Sequence, residues 1–307
     1  MKKTKQTRAF QWSAKTVSIV LITAFLFSNC FAADTEKAFL SNNPSCRTMR
    51  TMARVYMAYG KFDRAQPLAE RALEMAQKRA ESDQELCLCL LDLAYIYNEQ
   101  GNLTDAEQMC TLGIKLQEKV YYETHPYIAY SLRTLSSIYQ GQGRFIQAQQ
   151  ALDKAIKIML RNHPSDNNII APFQVDYARL LAAEGRLDEA EEYYNKAITA
   201  IKACYGTDNL YTATVAGNIA ELYTLQGRFE EAETLVNKAQ PIQEKIYGPE
   251  HHFIAGLWLT RARIYQARGD YSEAEKLFKK ALNAVKKTGN TAQVAKLQER
   301  IEQIRST

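Results

Sequence analysis

Apolar residues recur at helical spacing through most of this chain, and the pattern restarts about every 42 residues. In Leu132, Leu135, Ser136 and Tyr139 the steps of three and four place one stripe on a single helix face. A glycine follows four residues after the tyrosine, then a bulky apolar residue, then a second helical stretch. These glycines are Gly60, Gly101, Gly143, Gly185, Gly227 and Gly269, separated by 41, 42, 42, 42 and 42 residues. Near-copies of one eight-residue stretch surround them, such as "QGRFEEAE" from Gln226 and "QGRFIQAQ" from Gln142. Small residues keep the same frame. Five after each glycine stand Ala65, Ala106, Ala148, Ala190, Ala232 and Ala274; twelve after it stand Ala72, Gly113, Ala155, Ala197, Ala239 and Ala281.

Each fixed position has a mechanical reason. The glycine ends a helix in the left-handed conformation without a Cβ penalty. Two places later Phe62, Leu103, Phe145, Leu187, Phe229 or Tyr271 opens a second helix and turns back into the pair. Alanine at the later positions lets the two helices approach where a longer side chain would overpack. The unit is a helical hairpin, and one hairpin cannot bury both of its apolar faces, so successive units must stack. The expected fold is all-α: a right-handed α-solenoid of six hairpins over residues 44–287. Residues 288–307 add a C-terminal capping helix, with an N-cap candidate at its start and Val294, Leu297, Ile301 and Ile304 at helical spacing.

The first residues follow another rule. Lys2, Lys3, Lys5, Arg8 and Lys15 stand without an acid, Val17 to Phe27 is an apolar run broken only by Ser18 and Thr23, and Ala32 and Ala33 follow. That order describes a secretory signal peptide over residues 1–33, with a linker at 34–43, and the run is short of the roughly 20 residues of a comfortable membrane span. The expected location is secreted or periplasmic. An uncleaved anchor, or a lipid on Cys30, would tether the chain instead, although Asn29 fits a bacterial lipobox poorly. Removing the leader also changes the charge. The whole chain carries +5, from 39 basic and 34 acidic residues, and five of the bases lie in the leader. The mature chain is neutral, which gives no support to nucleic-acid binding.

Five cysteines remain after cleavage: Cys46, Cys87, Cys89, Cys110 and Cys204. Their spacing matches no metal site. Cys46 and Cys87 occupy equivalent places in successive repeats, where helices about 8–10 Å apart would hold their Cα atoms beyond the roughly 7 Å reach of a disulfide. Most are expected as small buried apolar residues, with one bridge through Cys87 or Cys89 as the alternative.

The ladder of small and aromatic residues resembles the tetratricopeptide repeat, and the 42-residue period resembles the long variety found in kinesin light chains and many bacterial proteins. Trp258, eleven before Gly269, matches the tryptophan often found early in that repeat. "YGPEHH" from Tyr247, "YYETHP" from Tyr121 and "YGTDNL" from Tyr205 are similar to its inter-repeat linker. The resemblance covers nearly all of the mature chain and speaks to fold; function has to be argued from a site.

The resemblance implies that the first helix of each hairpin lines the concave surface. Thirteen, ten and six residues before each glycine fall outside the core set on one side of that helix. They give the candidate partner-binding residues Arg47, Arg50, Arg54, Tyr95, Tyr130, Arg133, Arg179 and Arg263, with Leu88 and Leu91 beside them and Glu221 as the one acid. Arginine offers bidentate hydrogen bonds to carboxylates, so the partner implied is a protein or peptide of acidic character. The plainer reading is that several of these arginines pair with nearby acids of the scaffold itself. The lysines and asparagines of chaperone-tail clamps are missing. Of the asparagines that light-chain-type repeats use to hold a peptide backbone only Asn218 matches, with Asp92 and Asp176 in its place elsewhere.

Catalytic patterns are not found. His125, His163, His251 and His252 fall in or near inter-repeat linkers, where capping of helix ends is expected of them. Glu230 with Glu231 and Glu191 with Glu192 fall in the first turn of a second helix, where they suit its positive end. No phosphate loop, HExxH or GxSxG occurs. Neither cofactor nor metal is expected, and an enzyme is unexpected. The reading is an exported scaffold that binds a peptide or helix of a partner on its concave face. Its alternative is a membrane-tethered assembly subunit working through convex or end surfaces.

Overall fold

Side chains with a free acceptor start the helices where the pattern calls for them. Ser45 accepts from the Thr48 amide at 3.1 Å, His125 from the Tyr127 amide at 3.2 Å and Asn209 from the Thr212 amide at 3.0 Å, each satisfying a donor that the first helical turn leaves open. A computed structural model describes residues 44–79, 82–164 and 167–306; the expected leader and linker lie outside the described residues. The first hairpin is α1 (Cys46–Ala58) with α2 (Phe62–Lys78), the second α3 (Asp83–Gln100) with α4 (Leu103–Val120), and the third α5 (Pro126–Gly141) with α6 (Phe145–Asn162). The fourth is α7 (Asn167–Ala183) with α8 (Leu187–Tyr205), and the fifth α9 (Leu210–Leu225) with α10 (Phe229–Tyr247). After a 3-10 turn at His252–Ile254 come α11 (Ala255–Ala267) with α12 (Tyr271–Lys286), and then the cap α13 (Thr291–Arg305). Among the described residues no helix is long and apolar enough to cross a membrane.

The turn works as its glycine requires. At Gly143 φ is +74°, and the chain closes with hydrogen bonds from the Gly143 amide to Gln140 O (3.0 Å) and from the Arg144 amide to Tyr139 O (2.8 Å). That pair of bonds consumes carbonyls the helix end would otherwise leave open. The alanines five after the turn are all fully buried, as is Ala155 twelve after Gly143. Where Ser136 replaces alanine seven before the glycine, its hydroxyl donates to Ala148 O at 2.8 Å, so the polar substitution leaves no unpaired group. Gly113 takes the small-residue place in the second hairpin because an added Cβ would come within 2.8 Å of Leu91 Cδ2.

Stacking follows from these faces. Each second helix packs on the first helix of its own hairpin and on that of the next, and the first helices also pack on one another, α1 on α3 through α9 on α11. Helices that touch every neighbour of their own kind lie on the short-radius side of the coil, so the first helices form the concave wall of a right-handed α-solenoid. Trp258 sits in the core at 1% exposure beneath the Lys280 ammonium, which lies 4.4 Å from the ring. Leu297, Ile301 and Ile304 of α13 cover the last hairpin. The cap residue of α13 is Asn290, accepting from the Gln293 amide at 2.9 Å.

The coil also meets itself. His251 Nε2 lies 3.2 Å from Ala58 O, and the His252 ring packs edge-on to Phe62 at 5.8 Å, directly over Gly60. One level on, the Asn290 amide donates to Glu99 O at 3.0 Å. The two bonds join residues 193 and 191 apart. One superhelical turn therefore takes about four and a half repeats, and the turns of hairpins 1 and 2 rest on the linkers that flank hairpin 6.

Candidate functional site

The coil brings first helices of different hairpins near enough for ionisable groups of the concave wall to sense one another. Burial pushes the Tyr95 hydroxyl well up, with Glu99 adding to the shift, Arg133 opposing it, and Tyr247 of the fifth hairpin also within reach. The Glu99 carboxyl is raised by burial, against the pull of Arg179 from the fourth hairpin.

Three arginines of the first helices, Arg50, Arg133 and Arg263, pair across repeat boundaries, and Arg179 pairs within its own helix. Arg50 Nε donates to Asp92 at 2.9 Å and its Nη1 to Glu85 at 2.9 Å, and the residue is only 6% exposed. Arg133 Nε donates to Asp176 and its guanidinium lies 5.9 Å from the Phe173 ring. Arg179 is 3.6 Å from the second oxygen of Asp176, and Arg263 donates to Glu221 at 2.9 Å. Asp92 and Asp176 both stand nine residues before their turn glycine, so an arginine ten before one glycine meets an aspartate nine before the next.

The expected contact set changes accordingly. Arg50 is withdrawn from any partner: it is buried, and the two carboxylates that neutralise it belong to the next hairpin. Arg133, Arg179 and Arg263 are partly exposed but each already faces a carboxylate, and with Asp92 and Asp176 beside Glu221 the six arginines stand against three acids rather than one. Arg47 and Arg54 are exposed at the outer end of the wall. Tyr95 is half-buried against Phe62, with ring centres 6.1 Å apart, whereas Tyr130 keeps 40% of its surface beside Phe173. The six turn glycines all hold a left-handed φ.

The opposite end of the wall is built differently. Between hairpins 5 and 6 a cavity of about 260 Å³ is lined by Thr214, Gly217, Asn218, Glu221, Tyr247 and Gly256, with Phe253, Leu257 and Gln243 completing it. Two of those positions are glycines on first helices. At Gly217 the missing side chain admits Leu257, whose Cδ2 would lie 2.8 Å from an added Cβ; at Gly256 nothing stands within 4 Å, so the space is open. The linker histidines take up structural tasks: His125 and His251 cap helix starts, and His252 fills the contact with hairpin 1. Among the described residues one group has metal-ligand proximity, Cys46, Glu85 and Cys89, with a ligand atom of each within 4.8 Å of the others.

Residues 170–245 and 211–287 match the family model of the tetratricopeptide repeat, and residues 35–164 match that of the MalT-like TPR region. The chain belongs to the tetratricopeptide repeat family. No curated protein matches it. Solved tetratricopeptide-like structures similar to it include a Rap protein complexed with competence and sporulation factor, at 12% identity and a TM-score of 0.65, covering 100% of this chain and 88% of that one. A tetratricopeptide repeat protein from Parabacteroides merdae matches at 16% identity and 0.57, over 94% and 100% of the two chains. The putative kinesin light chain of Podosopora anserina matches at 22% and 0.51, over 65% and 94%. At these identities the likeness is one of fold. Within this tetratricopeptide frame, Gly217 and Gly256 were the functional candidates that sequence reading passed over. Their signal was visible as glycines at the positions ten and thirteen before a turn glycine, where the other hairpins carry side chains.

Proposed function

We propose that this tetratricopeptide protein is an exported scaffold that holds an extended segment or helix of a partner protein on its concave face. The observation that carries the reading is the opening between hairpins 5 and 6. There the wall gives up two side chains, at Gly217 and Gly256, and leaves an aromatic-sided cavity beside the Asn218 amide. A cavity of that size suits one apolar side chain of a bound segment, with Asn218 placed to bond its backbone. Tyr130 and the partly exposed Arg179 and Arg263 would extend the contact along the concave wall. Because those arginines already face carboxylates, recognition rests on the apolar anchor more than on partner charge. Export rests on the sequence of residues 1–33, and an N-terminus at Ala33 or Asp34 in the mature protein would remove the tethered alternative.

The test is a cross-linking capture from the envelope fraction with the natural chain, Gly256→Leu and Asn218→Ala. At Gly256 an added Cβ meets no atom within 4 Å, and the rest of a leucine side chain would occupy the cavity, so capture should fall at least tenfold while the helical signal stays unchanged. Equal capture by all three proteins would remove the concave wall as the binding site.

A further inference from the structure

Four cysteines of the described chain are buried, and three different environments receive them. Cys87 directs its thiol to Gly113 O at 3.4 Å and Cys110 to Ser131 O at 3.5 Å, each the ordinary use of a small apolar residue with a weak donor. Cys46 makes the equivalent contact to Ala72 O at 3.3 Å, but it also faces Cys89, Sγ to Sγ at 3.5 Å, with the two residues at 3% and 0% exposure. The pair bridges α1 and α3, the first helices of the first two hairpins. Register explains why this pair was not the one the repeat suggests. Cys87 is the repeat equivalent of Cys46, but Cys89, two residues further along α3, is the residue that reaches back to it.

We propose that Cys46 and Cys89 form a disulfide that ties the first hairpin to the second. The geometry asks for little more than closing the gap between two sulfurs already in contact. Terminal repeats have a neighbour on one side only and are the first to fray, and hairpin 1 is the first of the described hairpins. The buried Arg50, held by Glu85 and Asp92 of hairpin 2, lies beside the pair and depends on the same docking. A metal is the competing use, since Glu85 also approaches both thiols. It is disfavoured because the Arg50 guanidinium occupies the nearest Glu85 oxygen and sets a fixed positive charge among the ligand atoms.

The reaction is thiol–disulfide exchange with a disulfide oxidant, such as oxidised glutathione or the active-site disulfide of a thiol oxidase. One cysteine thiolate attacks the oxidant disulfide and forms a mixed disulfide, releasing one oxidant thiol. The second cysteine then displaces the other oxidant sulfur. Two thiols of this chain lose two protons and two electrons, and the oxidant gains both as two thiols. Burial raises both the Cys46 and Cys89 thiols, so exchange belongs to the folding chain, before α1 docks; afterwards the same burial shields the bond from reductants. In the cell the bond needs an oxidising compartment and so rests on the export reading, whereas its chemistry in vitro does not.

The full chain is unfolded under reduction, refolded in a glutathione redox buffer, alkylated in denaturant and digested, with fragmentation that separates Cys87 from Cys89. The expected result is a Cys46–Cys89 cross-linked peptide in most molecules, alkylated Cys87, Cys110 and Cys204, and a melting temperature about 5–10 °C above that of the reduced protein. Cys46→Ser and Cys89→Ser should each abolish that shift. Alkylation of both Cys46 and Cys89 after oxidative refolding overturns the proposal, as does one zinc ion retained per chain with both thiols intact. The same digest of protein isolated from the envelope separates the two readings. A bond formed in vitro but missing there would overturn its formation in the cell and weigh against export, leaving the pairing itself standing.

Discussion

The two ends of the concave wall are built on one frame and put it to opposite uses. In hairpins 1 to 4 the position ten before the turn glycine is twice an arginine, and each meets an aspartate nine before the next glycine: Arg50 with Asp92, Arg133 with Asp176. In hairpin 5 the same position is Gly217, and the aspartate place in hairpin 6 is Thr260, buried at 1% and bonded to Gly256 O at 3.0 Å. Where the charged pair stands, the groove between neighbouring first helices is filled and clamped; where glycine stands, it opens into the cavity. A solenoid can thus vary its inner surface one repeat at a time, because each clamp involves only adjacent units.

The sharpest way to break this contrast is at its buried end. Asp92→Ala leaves the Arg50 guanidinium buried with Glu85 alone and should cost about 3 kcal/mol in chemical denaturation, while Asp176→Ala, beside a partly exposed arginine, should cost about 1 kcal/mol. The clasp that rests the clamped end on the open end comes next. Burial holds the His252 imidazole down to about 3 and lowers His251 as well. An unfolded histidine titrates near 6.5 and takes up its proton first, so stability is complete above that pH and falls as the pH drops toward 3. At pH 5 the loss should reach about 2 kcal/mol relative to pH 8, and His252→Phe should flatten that slope in a pH series of denaturation midpoints.

At the open end the effects are smaller and differ in sign. Gly217→Ala puts a Cβ against Leu257 and should destabilise by about 1 kcal/mol; Gly256→Ala meets open space and should be neutral or stabilise by up to about 0.5 kcal/mol, since glycine is the poorer helix former. Equal losses at both sites in thermal melts would mean that the cavity is filled. Smallest of all is Arg263→Ala. Its pair with Glu221 is 40% and 51% exposed, so its loss should stay below about 0.5 kcal/mol and disappear in high salt.

The hairpins were legible in the chain because everything that defines them lies within a few turns of helix. Gly143 must take φ +74°, Ala148 and Ala155 must be small, and Tyr139 must face inward, and each demand is met by residues close in sequence. The capping helix was legible for the same reason. The wall was only half legible. Spacing grouped Arg50, Arg133 and Arg179 on one side of the first helices, but Asp92 and Asp176, one position away, read as replaced asparagines and proved to be their partners.

What the sequence by itself determined is therefore the repeating unit: helix, left-handed turn, helix, and the faces that must be buried between units. Tertiary structure alone decided which arginine meets which acid, that Cys46 faces Cys89, and that Ala58 touches His251 across 193 residues. Those contacts depend on the small rotation between one hairpin and the next, set by side-chain volumes at each interface and summed over several repeats. A periodic pattern fixes the residues that meet within a unit, but it carries no direct record of that accumulated angle.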